Sequence, residues 1–96
     1  MPTFVVLYQF TEQGRKNVKE TVRRASEVQE ENQRRGFNIQ GLYWTMGQYD
    51  LVAIVDAPDE QSMLAGLFNI SEAGNVQSQT LRAFNSAEME QALKGS

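Results

Sequence analysis

The residues best suited to chemistry gather around one dipeptide, Tyr49-Asp50, which follows Gly47-Gln48 within the run Phe37 to Ala57 (FNIQGLYWTMGQYDLVAIVDA). A carboxylate beside a phenol at a strand end can hold a ligand amine or hydroxyl. It can equally accept hydrogen bonds from turn or neighbouring backbone N–H groups, the commoner use of a turn-adjacent aspartate. Trp44 and Tyr43 lie just upstream, and Tyr8 and Phe4 belong to an earlier apolar run. Aromatic side chains placed this way line either a pocket or an interface core. Arg82 is the one basic residue in a segment that reads as a strand. Its guanidinium suits bidentate contact with a carboxylate ligand, or a salt contact at a sheet edge with Asp50, Asp56 or a glutamate. The candidate ligand-binding set is therefore Tyr49, Asp50, Trp44, Tyr43, Tyr8 and Arg82.

What is missing narrows the chemistry. The 96-residue chain has neither histidine nor cysteine, which removes disulfides, thiolate nucleophiles, Cys/His zinc sites, imidazole-ligated haem and Ser-His triads. The twelve acidic residues show no calcium-loop spacing, so neither a metal nor a cofactor is expected. Proton transfer would fall to aspartate, tyrosine or lysine, whose ordinary pKa values lie far from neutrality, and no catalytic residue is assigned. A formal net charge of −3 speaks against a nucleic-acid-binding face. No apolar run approaches the roughly 18 residues of a membrane span, and no basic stretch precedes an apolar one at the start. A soluble, cytoplasmic protein is expected, with no membrane partner.

The elements that must position these residues follow from periodicity. Thr3 to Phe10 (TFVVLYQF) is β-branched and aromatic on both sides of a strand. Residues 51–55 are apolar at every position, the mark of a strand covered on both faces. Gly47-Gln48 predicts a two-residue type II′ hairpin joining this strand to the one before it. Between the first two strands, Thr11 can cap a helix running from about residue 12 to about 35, with a narrow apolar stripe of Val18, Val22, Ala25 and Val28 and Gly36 as its stop. Seven of the nine basic residues lie in this stretch beside five glutamates, and the charge pattern predicts a solvated face. A second helix is predicted over 58–72, with Pro58 at its first position, Met63, Leu64, Leu67 and Phe68 buried, and Gly74 closing it. Residues 75–84 read as a more polar edge strand. Asn85 or Ser86 then caps a short helix carrying Met89, Ala92 and Leu93.

The order strand, helix, strand, strand, helix, strand fits an α+β, ferredoxin-like βαββαβ sheet of order 4-1-3-2, in a single domain spanning residues 1–96. Right-handed crossovers put both helices on one face. The other face, carrying Phe4, Tyr8, Ile54 and Tyr43 or their alternates, is left apolar and open, which normally marks an interface. Pairing two such faces gives a dimeric α/β barrel, so a homodimer or a higher even-numbered oligomer is expected.

The run GLYWTMGQYDLVAIVDAPDE followed by GNVQSQTLRAF resembles the GYD domain family, whose glycine-tyrosine-aspartate signature here is Gly47-Gln48-Tyr49-Asp50. Phe10 to Gly14 (FTEQG) fits the family's strand-to-helix junction. The resemblance spans about Phe4 to Phe84 and implies a ferredoxin-like, dimeric α/β-barrel fold, with no general activity to carry over. The chain is also similar to the effector-binding domains of leucine-responsive-type transcription regulators, which bind amino acids at subunit interfaces. It has Thr80 in the last strand, as they do, but lacks the DNA-binding helices. The expectation is a non-catalytic, self-associating module that binds a small molecule or a protein partner at or near a subunit interface. The alternatives are a cofactor-independent monooxygenase-like enzyme drafting Trp44 with Asn38 or Asn75, and a purely structural assembly unit. A roomy pocket beside Tyr49, Trp44 and Asp50 favours the first two, and a filled, dry interface favours the third.

Overall fold

In a computed structural model describing residues 1–95, alternation along the first strand places the core. In β1 (Thr3–Phe10), Phe4, Val6 and Tyr8 are buried, while Val5, Leu7 and Gln9 between them stay half-buried on the opposite face. β3 (Leu51–Asp56) repeats the pattern, burying Leu51, Ala53 and Val55. The two lie side by side in register, Phe4 opposite Val55 and Tyr8 opposite Leu51. β2 (Asn38–Trp44) and β4 (Val76–Ala83) form the edges of a four-stranded antiparallel sheet of order β2-β3-β1-β4, the predicted 4-1-3-2 order seen from the other side. Phe37, Ala57 and Met63 complete the core on the helix-covered face. Full burial of a side chain such as Val6 contributes about 1.5–3 kcal/mol, so this one face supplies most of the stability.

The predicted 12–35 helix is interrupted. α1 (Glu12–Lys16) ends at Asn17, a 3₁₀ turn covers Val18–Glu20, and α2 (Thr21–Arg34) begins afresh. Asn17 is the C-cap of the first helix, and its backbone N–H (3.2 Å) and side-chain amide (3.1 Å) both donate to the Gln13 carbonyl. The first turn of α1 is fastened to the far end of the chain. Its cap, Thr11, donates from Oγ1 to the Gly74 carbonyl (2.6 Å) and from its backbone N–H to the Asn75 carbonyl (3.1 Å). Gly14 is buried against the same Asn75 peptide.

α3 (Glu60–Ala73) starts later than predicted: Asp59 is its cap, accepting from the Ser62 N–H (2.7 Å), so Pro58 precedes the helix. Gly74 closes it in the left-handed region (φ 79°), as predicted. Its core-facing stripe is Met63, Leu67 and Ile70. Leu64 and Phe68, predicted as buried, are 53% and 61% exposed, because the sheet below accepts only one row of α3 side chains.

The hairpin also differs. The ladder ends at Trp44–Leu51, and Thr45 N–H donates to the Asp50 carbonyl (2.9 Å). The connection is therefore longer than a two-residue turn, although Gly47 does take positive φ (109°). A bulge at Gln40 breaks the alternation of β2 and brings both Ile39 and Leu42 to the core. α4 (Ser86–Lys94), capped reciprocally by Asn85 and Glu88, lies on the outside with every residue exposed.

Candidate functional site

The signature dipeptide knits the β2–β3 connection to the rest of the sheet. Asp50 accepts from the Phe10 N–H at Oδ2 (2.8 Å), and its own N–H donates to the Tyr8 carbonyl (2.8 Å). Both bonds extend the pairing with β1 beyond Leu51, the first β3 residue. Tyr49 donates its hydroxyl to Gln79 Oε1 on β4 (2.8 Å), and its carbonyl accepts from Thr45 Oγ1 (2.6 Å). This is the structural use of a turn-adjacent aspartate, and it explains why the connection outgrows two residues: Asp50 is drawn onto β1.

The other predicted residues scatter. Trp44 is tethered to the start of α2, its indole N–H donating to Thr21 Oγ1 (3.1 Å). Tyr43 lies on the open face with its ring over Gly41, where an added Cβ would come within 2.8 Å of ring carbon Cε2. Phe4 and Tyr8, predicted among the possible open-face residues, both point to the helix side instead. Arg82 sits at the opposite end of the sheet. It stacks on Phe84 (4.4 Å to the ring centroid) and over Phe4 (5.7 Å), and it donates to the Thr3 and Ala83 carbonyls. Among the described residues it forms no ion pair with Asp50, Asp56 or a glutamate. The aromatic rings beside it take the place of the predicted edge salt contact. Thr80 faces Val6 across the β1–β4 ladder.

Two features escaped the sequence reading. At the end of β3, Asp56 gathers donors from three side chains: Thr3 Oγ1 (2.6 Å), Asn38 Nδ2 (3.0 Å) and Gln40 Nε2 (2.9 Å to each oxygen). These bonds, Thr3 first and then Gln40 and Asn38, hold its carboxyl below the usual aspartate range. The second feature is a cavity of about 530 Å³ between α2, α3 and the sheet. Its walls include Leu51, Ala53 and Val55 from the sheet, Ala25 and Val28 from α2, and Ile70 from α3. Tyr8 is on its floor, 9% exposed, and burial pushes the phenol up to about 12. Of the predicted set, only Tyr8 lines this space. Tyr49, Asp50 and Trp44 do not, so this is not the roomy pocket expected beside them. The signal that pointed to it was the narrow α2 stripe: two valines and an alanine are too small to fill the gap to the sheet, and α2 contributes no buried residue.

Sheet order, signature and comparisons agree. The model of the GYD domain matches residues 4–93, and the chain belongs to this family. A Thermus thermophilus protein named "Glutamine synthetase and cystathionine beta-lyase binding protein" is 32% identical over 95 residues, covering 98% of this chain and all of that protein. The "crystal structure of FFRP-DM1" superposes with a TM-score of 0.61 over 88% of this chain and all of that one, at 17% identity, which shows a shared fold.

Proposed function

We propose that the chain is a non-catalytic binding module of the cytoplasm that pairs with itself through the open sheet face and presents a separate surface to a protein partner. The observation that carries the reading is the uncovered face itself. Val5, Leu7, Val52 and Ile54 from the two central strands point away from the helices, flanked by Leu81 (42% exposed) and Tyr43 (61% exposed). A contiguous apolar surface of this kind marks an interface, and a small domain gains burial by self-association. Closing two such faces gives the dimeric α/β barrel.

Sheet pairing leaves Leu64 and Phe68, one turn apart on the outer side of α3, still exposed. Two large apolar side chains at that spacing suit a docking ridge for a second protein. The relative's name supports glutamine synthetase or cystathionine beta-lyase as the kind of partner. The six predicted residues hold the scaffold or face different surfaces, and nothing in their arrangement supports a converged monooxygenase-like site.

Two measurements test this. Light scattering should give an even number of subunits, and Ile54→Lys with Leu7→Lys should give folded monomers. Immobilised chain should capture purified glutamine synthetase from its own organism, and Leu64→Ser with Phe68→Ser should remove capture while leaving the oligomer intact. A wild-type monomer sinks the first half of the reading. Capture unchanged by the α3 pair sinks the second.

A further inference from the structure

We infer that the cavity between α2, α3 and the sheet is a binding site for an apolar monocarboxylate, with an aromatic or branched carbon body that carries a hydroxyl or carbonyl oxygen. The inference is independent of the open-face pairing, since the cavity lies on the other side of the sheet. Its volume of about 530 Å³ falls within the range that encloses small organic ligands. Its sheet wall is apolar, with polar side chains coming from α2, α3 and Asn75, so filling its inner part with water forfeits the contacts a hydrocarbon body makes.

Two polar groups specify the class. The Tyr8 side chain is 9% exposed and lines the cavity, and among the described residues its hydroxyl makes no hydrogen bond. No buried side-chain oxygen is cut off from both partner and open space, so this hydroxyl borders the cavity. A phenol held there is a donor waiting for an oxygen acceptor. The second group is Arg24, half-buried on the cavity side of α2. Glu27 and Glu31 line the same rim, but each is committed: Glu27 to Arg23, and Glu31 to Arg34 and Arg35. Arg24 donates to the Asn17 carbonyl (2.9 Å) and, among the described residues, has no carboxylate within ion-pair distance. Its remaining donors suit a carboxylate at the mouth, with the apolar body reaching inward and its oxygen meeting Tyr8.

An amide NMR titration of the full chain with hydroxyphenylpropionate, its neutral amide and decanoate tests the site. Hydroxyphenylpropionate should shift residues of the cavity wall, including Tyr8, Ala53 and Ile70, and leave Val5, Leu7 and Leu81 unmoved. Tyr8→Phe should weaken hydroxyphenylpropionate about tenfold while leaving decanoate, which has no inner oxygen, unaffected. Arg24→Gln should remove the preference for the acid over its amide. Ala53→Leu should block all three probes, and Tyr8→Phe, which keeps the ring and removes an unbonded oxygen, keeps the test decisive if that variant fails to fold. No wall shifts at millimolar probe overturns the site. So do shifts that persist unchanged in both Tyr8→Phe and Arg24→Gln, and wall changes that follow protein concentration rather than probe, which would mean a second copy fills the space.

Discussion

Replacing Gly14 by alanine should destabilise the protein although it places the best helix former inside a helix. Gly14 lies in α1, and a Cβ built there would stand 2.0 Å from the Asn75 carbonyl oxygen and 3.0 Å from its carbonyl carbon. Ordinary contact needs roughly 3.5 Å, so one backbone must move by more than an ångström. Neither is free to do so. The same carbonyl accepts the Thr11 N–H (3.1 Å), and Thr11 Oγ1 holds the Gly74 carbonyl (2.6 Å). Losing these two part-buried bonds costs about 1–3 kcal/mol, and overpacking adds about 1–3 kcal/mol. The helix propensity of alanine returns about 1 kcal/mol. The net cost is about 1–5 kcal/mol, with a midpoint near 3 kcal/mol that corresponds to roughly 12–24 °C in Tm for a domain of this size. Gly66→Ala is the control. It is also helical, but its added Cβ meets only Phe37 Cζ at 3.9 Å, so it should stabilise by about 0.5–1 kcal/mol. Urea denaturation of the three proteins at one concentration measures both. A Gly14→Ala midpoint equal to or above wild type would refute the seam between α1 and the α3–β4 junction.

Two further predictions concern titration. Asp56 is held below its ordinary value of 3.8, chiefly by Thr3. Its contribution is thus present above that value and lost as pH falls through the lower folded value. The stability difference between wild type and Asp56→Asn should shrink in acid, and a difference constant down to about pH 2.5 in denaturation would contradict the network. Tyr8 runs the other way: its phenol rises from 10.0 to about 12. Burial favours the neutral form, so stability is intact below the unfolded value and falls as pH climbs through the folded one. Spectrophotometric titration should show a late tyrosine step at about 12. In Tyr8→Phe the late step should vanish and the alkaline loss of stability should lessen; a late step that remains would contradict the burial of Tyr8.

Much of the architecture was legible because it depends on periods and on local backbone chemistry. Apolar residues on both faces of Thr3–Phe10 and Leu51–Val55 identified the central strands, the polar content of the last strand put it at an edge, and Gly74 marked a helix end. The spacing of the signature and the junction residues Phe10 to Gly14 carried the family. The seam explains why a glycine belongs in that junction: only a residue without Cβ lets α1 touch Asn75. Local readings failed for different reasons: Asp50 lengthened the hairpin by bonding to the distant Phe10, Asn17 ended a helix that charge and apolar spacing ran together, and a bulge at Gln40 broke the alternation of β2.

Along the unbroken central strands β1 and β3, the sequence by itself determined which residues share a face, because side-chain direction alternates along a regular strand. It did not determine which of the two faces the helices cover, since both faces of β1 and β3 are apolar. Tertiary packing made that choice, turning Tyr8 inward to the cavity and Leu7 and Ile54 outward to the open face. It also brought Thr3 of β1 and the β2 pair Asn38 and Gln40 to Asp56 at the end of β3. The cavity itself is a mismatch of volumes between α2 and the sheet, a quantity that exists only once the two are placed face to face.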